Sequence, residues 1–157
     1  MFLHAPLRAC MMALGLTAAV FATSALADDF QTTPYQNKKI DDFNVGKEAI
    51  DKEEWAKAIA SFKKVIATSP RNADAFNYLG YASRGLGKLD DAFMYYDRAL
   101  KLQPDHRGAI EYLGVAHLKN NDLPNAKAQL ARLEAVCGTS CAEYADLAKE
   151  IAEFKPR

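Results

Sequence analysis

Laid against itself at an offset of 34 residues, the chain repeats. Gly46, Gly80 and Gly114 fall in one column, and Ala58, Ala92 and Ala126 in another. Four further columns agree at the same offset: Phe62, Tyr96 and Leu130; Val65, Ala99 and Leu133; Trp55, Leu89 and Leu123; Pro70, Pro104 and Gly138. A period of this length marks a small supersecondary unit that buries its apolar face against copies of itself. The spans are 39–72, 73–106 and 107–140.

Within each span the apolar spacing is helical. In the middle one Phe76, Leu79, Gly80 and Ser83 recur at i, i+3, i+4 and i+7, ahead of the breaker Gly85-Leu86-Gly87. Leu89, Ala92, Phe93, Tyr96, Ala99 and Leu100 make a second stripe that stops before Pro104. Each span therefore reads as an antiparallel helix pair, with Gly80 and Ala92 small where the helices cross and Ala99 small toward the next pair. One pair can bury only one face. Stacking creates the core.

The stretch ADAFNYLGYASRGLGKLDDAFMYYDRALKLQPDH, Ala73 to His106, resembles the tetratricopeptide repeat. Phe76, Leu79, Gly80, Ala92, Tyr96, Ala99 and Pro104 stand on the family positions. Span 107–140 keeps Ile110, Leu113, Gly114, Ala126, Leu130 and Leu133, with Gly138 in place of the proline. Span 39–72 is the loosest, keeping Val45, Gly46, Ala58, Phe62 and Pro70 but holding Asp42 where a large apolar residue is usual. The resemblance implies an all-α, right-handed α-solenoid of three antiparallel helix pairs. A capping helix in 141–157 completes it, with the stripe Tyr144, Leu147, Ala148, Ile151 and Phe154 and a capping box from Ser140 and Glu143. Residues 28–38 carry no period and read as a flexible leader, partly docked through Phe30 and Tyr35.

Residues 1–27 differ from the rest. The only charged side chain there is Arg8, an apolar run extends from Met11 to Ala22, and Ala25-Leu26-Ala27 precedes Asp28. That order is expected of a cleavable secretory signal cut between Ala27 and Asp28; the competing reading is a retained amino-terminal anchor. Cys10 lies before the apolar run, where a lipobox cannot be. In a bacterium the mature chain is expected in the periplasm or outside the cell, with no stable membrane insertion. It holds 19 basic and 20 acidic residues, a formal charge of −1, so a dedicated nucleic-acid protein is not expected.

Cleavage leaves two cysteines, Cys137 and Cys141. In an exported chain an even count favours a disulfide, here tying the third repeat to the cap. Two other uses compete: thiol-disulfide exchange, with Cys141 at a helix amino terminus, and metal binding. The Cys-x-x-x-Cys spacing and the lack of a βαβ pattern favour the structural bridge.

Catalytic constellations are not recognised. His106 lies in an inter-repeat turn, and His117 on a column facing the partner helix, where a partly buried, satisfied histidine is expected. Their spacing is not that of a metal pair. Gly80, Gly85 and Gly87 follow no strand, and Asp51, Glu53 and Glu54 read as a solvated turn. No enzyme, cofactor or metal is expected.

The resemblance places the first helix of each pair along a concave groove. Its facing columns are Ile40, Phe43, Lys47 and Ile50; Asp74, Asn77, Tyr81 and Arg84; Gly108, Glu111, Val115 and Leu118. An extended peptide or a helix of another protein is the expected partner, with Phe43 and Tyr81 as anchors and Lys47 and Arg84 facing acidic groups. Alternatively, Phe43 and Ile50 pack against the leader. Some family members clamp a peptide carboxylate, but Phe43, Lys47, Tyr78 and Gly108 replace the residues that arrangement needs. Self-association at the exposed end of the first repeat is a further reading, and a small soluble ligand a third.

Overall fold

The computed structural model describes residues 34–157, with side chains from residue 41 onward. The expected signal segment, Cys10 and residues 28–33 lie outside the described residues. Seven helices follow one another: α1 (Pro34–Asp51), α2 (Trp55–Thr68), α3 (Ala73–Gly85), α4 (Leu89–Leu102), α5 (Arg107–Lys119), α6 (Leu123–Cys137) and α7 (Ala142–Glu153). They form an all-α solenoid of antiparallel pairs, α1–α2, α3–α4 and α5–α6, closed by α7. The leader is shorter than its lack of period suggested, because α1 already begins at Pro34. Proline suits a first helical position, where its missing N–H has no intrahelical partner to lose.

The turn inside each pair is built three times over. Glu53 (φ 56°), Gly87 (φ 75°) and Asn121 (φ 60°) occupy one column and all adopt the left-handed conformation. In each, that residue's N–H donates to a carbonyl three back: Ile50, Arg84 and Leu118. The next N–H reaches five back, to Ala49, Ser83 and His117. Two orphan carbonyls at each helix end are thereby satisfied.

The same economy opens α3 and α5. Asn72 Oδ1 accepts the Ala75 N–H at 2.9 Å. One repeat later His106 Nδ1 accepts the Ala109 N–H at 3.2 Å, while its Nε2 lies 3.0 Å from Asp74 Oδ1. A ring accepting at Nδ1 and donating at Nε2 carries its proton on Nε2. The third member of this column is Ser140, yet α7 starts one residue late, at Ala142. Its N-cap is Cys141, which makes no side-chain cap, so the capping box expected from Ser140 and Glu143 does not form.

The core follows the columns. Phe62, Val65, Leu79, Tyr96, Ile110, Leu133 and Leu147 are all buried. Gly46 lies against the Phe62 ring and Gly80 against the Tyr96 ring; a Cβ at Gly80 would stand 2.5 Å from that ring. In the third repeat α6 supplies Leu130 instead of an aromatic. There the space over Gly114 is taken by Leu147 of α7, 2.6 Å from where a Cβ would be. Whereas α3 and α5 lie mainly on the second helix of the preceding pair, α7 packs about equally on α5 and α6. Its approach starts at Gly138 (φ 74°, ψ −176°), a conformation open essentially to glycine alone. Pro70 and Pro104, in the same column, cannot take that route.

Candidate binding groove

The inner face is lined by the first helices of the pairs, and α7 shortens it. Because α7 lies along α5, Val115 is 9% and Leu118 6% exposed. Both were expected to meet a partner; both are largely buried, and what they still expose lines a separate pocket of about 370 Å³ together with Glu150 of α7 and Phe154 and Arg157 beyond it. Asn77 is likewise buried, at 5% exposure, and its Oδ1 accepts no hydrogen bond. Among the described residues no helix is long and apolar enough to cross a membrane.

Nearer α1 a cleft of about 250 Å³ is lined by Lys47, Ile50, Asp51, Tyr78, Tyr81 and Tyr112. Lys47 and Ile50 come from successive turns of α1, Tyr78 and Tyr81 from one turn of α3, and Tyr112 from α5. Three expected groove residues, Lys47, Ile50 and Tyr81, are thus brought together. Phe43 plays another part. Its ring stands edge-on to Phe62 (5.4 Å) and Tyr78 (5.7 Å), while Phe62 and Tyr78 stack at 5.1 Å. Phe43, expected as an anchor, is partly buried and props the wall of the cleft. Whether it also meets the leader lies outside the described residues.

Asp51, Tyr78 and Tyr112 are the lining residues that the groove columns missed, and the two tyrosines share a column. They stand together one column over, where the first repeat has Asn44. A tyrosine pair beside the facing column was the available signal. Tyr81 and Tyr112 meet at 4.9 Å, and the Arg84 guanidinium lies over both rings, 4.8 Å and 5.8 Å from their centroids. Arg84 makes no ion pair among the described residues, and its Nε is buried without a hydrogen-bond partner. Burial, with the neighbouring Glu111 carboxylate, pushes the Tyr112 phenol up to about 12.

Glu111, another expected groove residue, precedes Tyr112 on α5 but is not part of the cleft lining. Burial, then Asp146, Glu143 and Glu150 of α7, push its carboxyl up to about 7, against the opposing pull of Arg84. Of these acids Glu143 has a cation nearby, Arg107 Nε at 3.5 Å. His117 is partly buried on the opposite side, against the Phe93 ring (4.9 Å) and 3.4 Å from Asp122 Oδ2. It does not reach the cleft lining.

Cys137 ends α6 and Cys141 caps α7, with Cα atoms 6.0 Å apart and sulfurs at bonding distance. Glu143 shares their corner, the three ligand-type atoms lying within 4.8 Å of one another.

A family profile described as tetratricopeptide repeat matches residues 45–106 and 84–137, together more than half of the chain. The fold is shared with the TPR2B-domain:pHsp70 complex of yeast Sti1 (TM-score 0.67, 19% identity, 76% of this chain and 99% of that one). It is also shared with the first TPR of Spaghetti (RPAP3) bound to the HSP90 peptide SRMEEVD (TM-score 0.66, 19% identity, 74% and 92%). PcrH in complex with the chaperone-binding region of PopD is similar as well (TM-score 0.66, 18% identity, 76% and 90%). Among curated proteins, the Drosophila melanogaster protein O-mannosyl-transferase Tmtc3 is 29% identical over 82 residues. The match covers 52% of this chain and only 9% of that protein.

Proposed function

From the premise that this chain belongs to the tetratricopeptide repeat family, we propose that it is a non-catalytic module that binds another protein. The bound element is an extended peptide or a helix, seated against Tyr78, Tyr81 and Tyr112 with Lys47 and Ile50 at its edge. The observation that carries the reading is the cleft itself: three tyrosines open beside Lys47 and Ile50, with the Arg84 guanidinium stacked on two of them. Rigid aromatic side chains and arginine supply the anchors of most protein interfaces. The similar Sti1, RPAP3 and PcrH structures each hold a partner's peptide or segment, which agrees with that use.

The setting is part of the same proposal. The pattern of residues 1–27 supports export through a cleaved signal, and the paired sulfurs support a structural bridge in an oxidising compartment such as the periplasm. There the module would scaffold or assist assembly of an envelope complex. Mass spectrometry of the protein recovered from its host tests this. A chain beginning at Asp28 with both mature thiols blocked is expected; a free thiol pair or a retained amino terminus removes the exported setting.

The groove is tested by capture from envelope extract with Tyr81→Ala/Tyr112→Ala and with Asp97→Asn, a change on the exposed side of α4. Partners held by the wild type are expected to fall at least tenfold with the tyrosine variant and to persist with Asp97→Asn. Equal recovery by all three would place binding elsewhere.

A further inference from the structure

After α7 the chain comes back to the end of α5. Lys155 precedes Pro156, and a residue before proline is kept out of the helical region, so the helix cannot run on. It stops at Glu153, and Phe154 is extended (φ −65°, ψ 128°). Residues 154–157 then form a strap to the turn after α5. There the Arg157 N–H donates to Asn121 Oδ1 at 3.1 Å, and the Arg157 guanidinium donates through Nη2 to the Lys119 carbonyl at 2.8 Å.

Both acceptors are products of that turn. Its N–H groups go to the carbonyls of Ala116, His117 and Leu118, and none goes to that of Lys119. The Lys119 carbonyl lies at the negative end of the α5 dipole, where a cation is favoured. Asn121 takes the left-handed conformation as Gly87 does one repeat earlier, but unlike Gly87 it carries an amide oxygen. We propose that this end of α5 is an arginine-binding site that the chain fills with its own Arg157. A partner segment with an aromatic residue three positions before an arginine, the spacing of Phe154 and Arg157, enters by displacing the strap.

The strap is held as a ligand is held. Lys155, Pro156 and Arg157 are exposed, and Phe154 is only partly buried. The two bonds of Arg157 are the hydrogen bonds that tie residues 155–157 to the rest of the described chain. Segments anchored so lightly open at the low end of a protein's free-energy range. Nor does the strap fill the space it spans. The pocket of about 370 Å³ remains between it, Glu150 and the floor of Val115 and Leu118, with room for a larger side chain than the strap supplies. Val115 is one turn on from Tyr112, so a segment running along α5 from the tyrosine cleft arrives at the strap. That continuity rests on the groove reading above; the arginine site stands without it.

The test titrates the wild-type chain, a chain ending at Glu153, and Arg157→Gln with two amidated peptides, Ala-Glu-Phe-Lys-Pro-Arg and Ala-Glu-Phe-Lys-Pro-Gln. Binding is read by NMR from the amide shifts of residues 118–122. A tethered segment competes at high effective concentration, so the arginine peptide should bind both variants about fivefold or more tightly than the wild type. It should exceed the glutamine peptide by about the same factor. Asn121→Gly keeps the turn, as Gly87 does, and should free the Arg157 amide in heteronuclear NOE measurements, whereas Asn121→Asp should hold it. An Arg157 amide as mobile in the wild type as in Asn121→Gly would overturn the strap. Equal binding of the two peptides would overturn arginine recognition, and equal affinity of wild type and both variants would overturn displacement. Failure of the arginine peptide to bind either variant would overturn the site itself. Neither Tyr81 nor Tyr112 lines this pocket, so the capture experiment with Tyr81→Ala/Tyr112→Ala decides the groove reading separately.

Discussion

At the scale of single residues, Glu111 shows burial and neighbouring charge acting on one carboxyl in the same direction. It is half-buried on α5 and faces the acids of α7, so its carboxyl keeps a proton up to about 7, well above the ordinary 4.5. Between those values the folded chain binds more protons than the unfolded one. This contribution to stability is therefore complete below about 4.5 and is lost as pH rises through about 7. Solvent screening of a partly exposed group reduces the effect to about 1 kcal/mol. Urea unfolding across that range is expected to show wild-type stability declining and Glu111→Gln holding level. Parallel pH profiles for the two proteins would show that Glu111 is not the group responsible. Tyr96 is the contrasting case. Burial raises its phenol too, against the opposing pull of Arg84, but its ring is packed under Gly80 and is not part of the cleft lining.

At the scale of elements, three turns share one backbone and differ in one side chain. Gly87 enters the left-handed region without cost, Asn121 tolerates it, and Glu53 must bear it. Glu53→Gly is expected to stabilise the chain by about 1 kcal/mol, measured as a higher urea midpoint at unchanged slope. A lower midpoint would mean that the lost side chain matters more than the relieved conformation. The helices themselves were legible from the period of 34, because burial, turn and cap recur together and each column reports the same contact. Three features were not. The start of α1 at Pro34 lies upstream of any repeated column. Tyr78 and Tyr112 lie outside the facing columns of the repeat, and only the packing of the first helices makes them one floor. The late start of α7 depends on the backbone angles of Gly138, which a residue name permits but does not specify.

At the scale of the whole molecule, the third pair is incomplete by itself. Gly114 has no aromatic ring from α6 to close on it, and Leu147 of α7 does that work, fully buried. Leu147→Ala should cost about 2–5 kcal/mol by leaving a cavity, and Gly114→Ala about 1–3 kcal/mol by crowding the same leucine. Combined, the two changes should cost less than their sum, since the added methyl enters the space that the lost leucine vacates. Strict additivity in denaturant titrations would show that the two positions are not coupled. The aromatic columns of the first two pairs marked Gly46 and Gly80 as close crossings, whereas Leu130 gave no sign that α7 would take over this contact. The array is thus partitioned as two, two and three helices, not as three equal modules and an appendage. A truncation at the last repeat boundary would cut through a closed unit. In a chain extended by design, a new pair belongs between the first and second, where each glycine keeps its own ring, and never between α6 and α7.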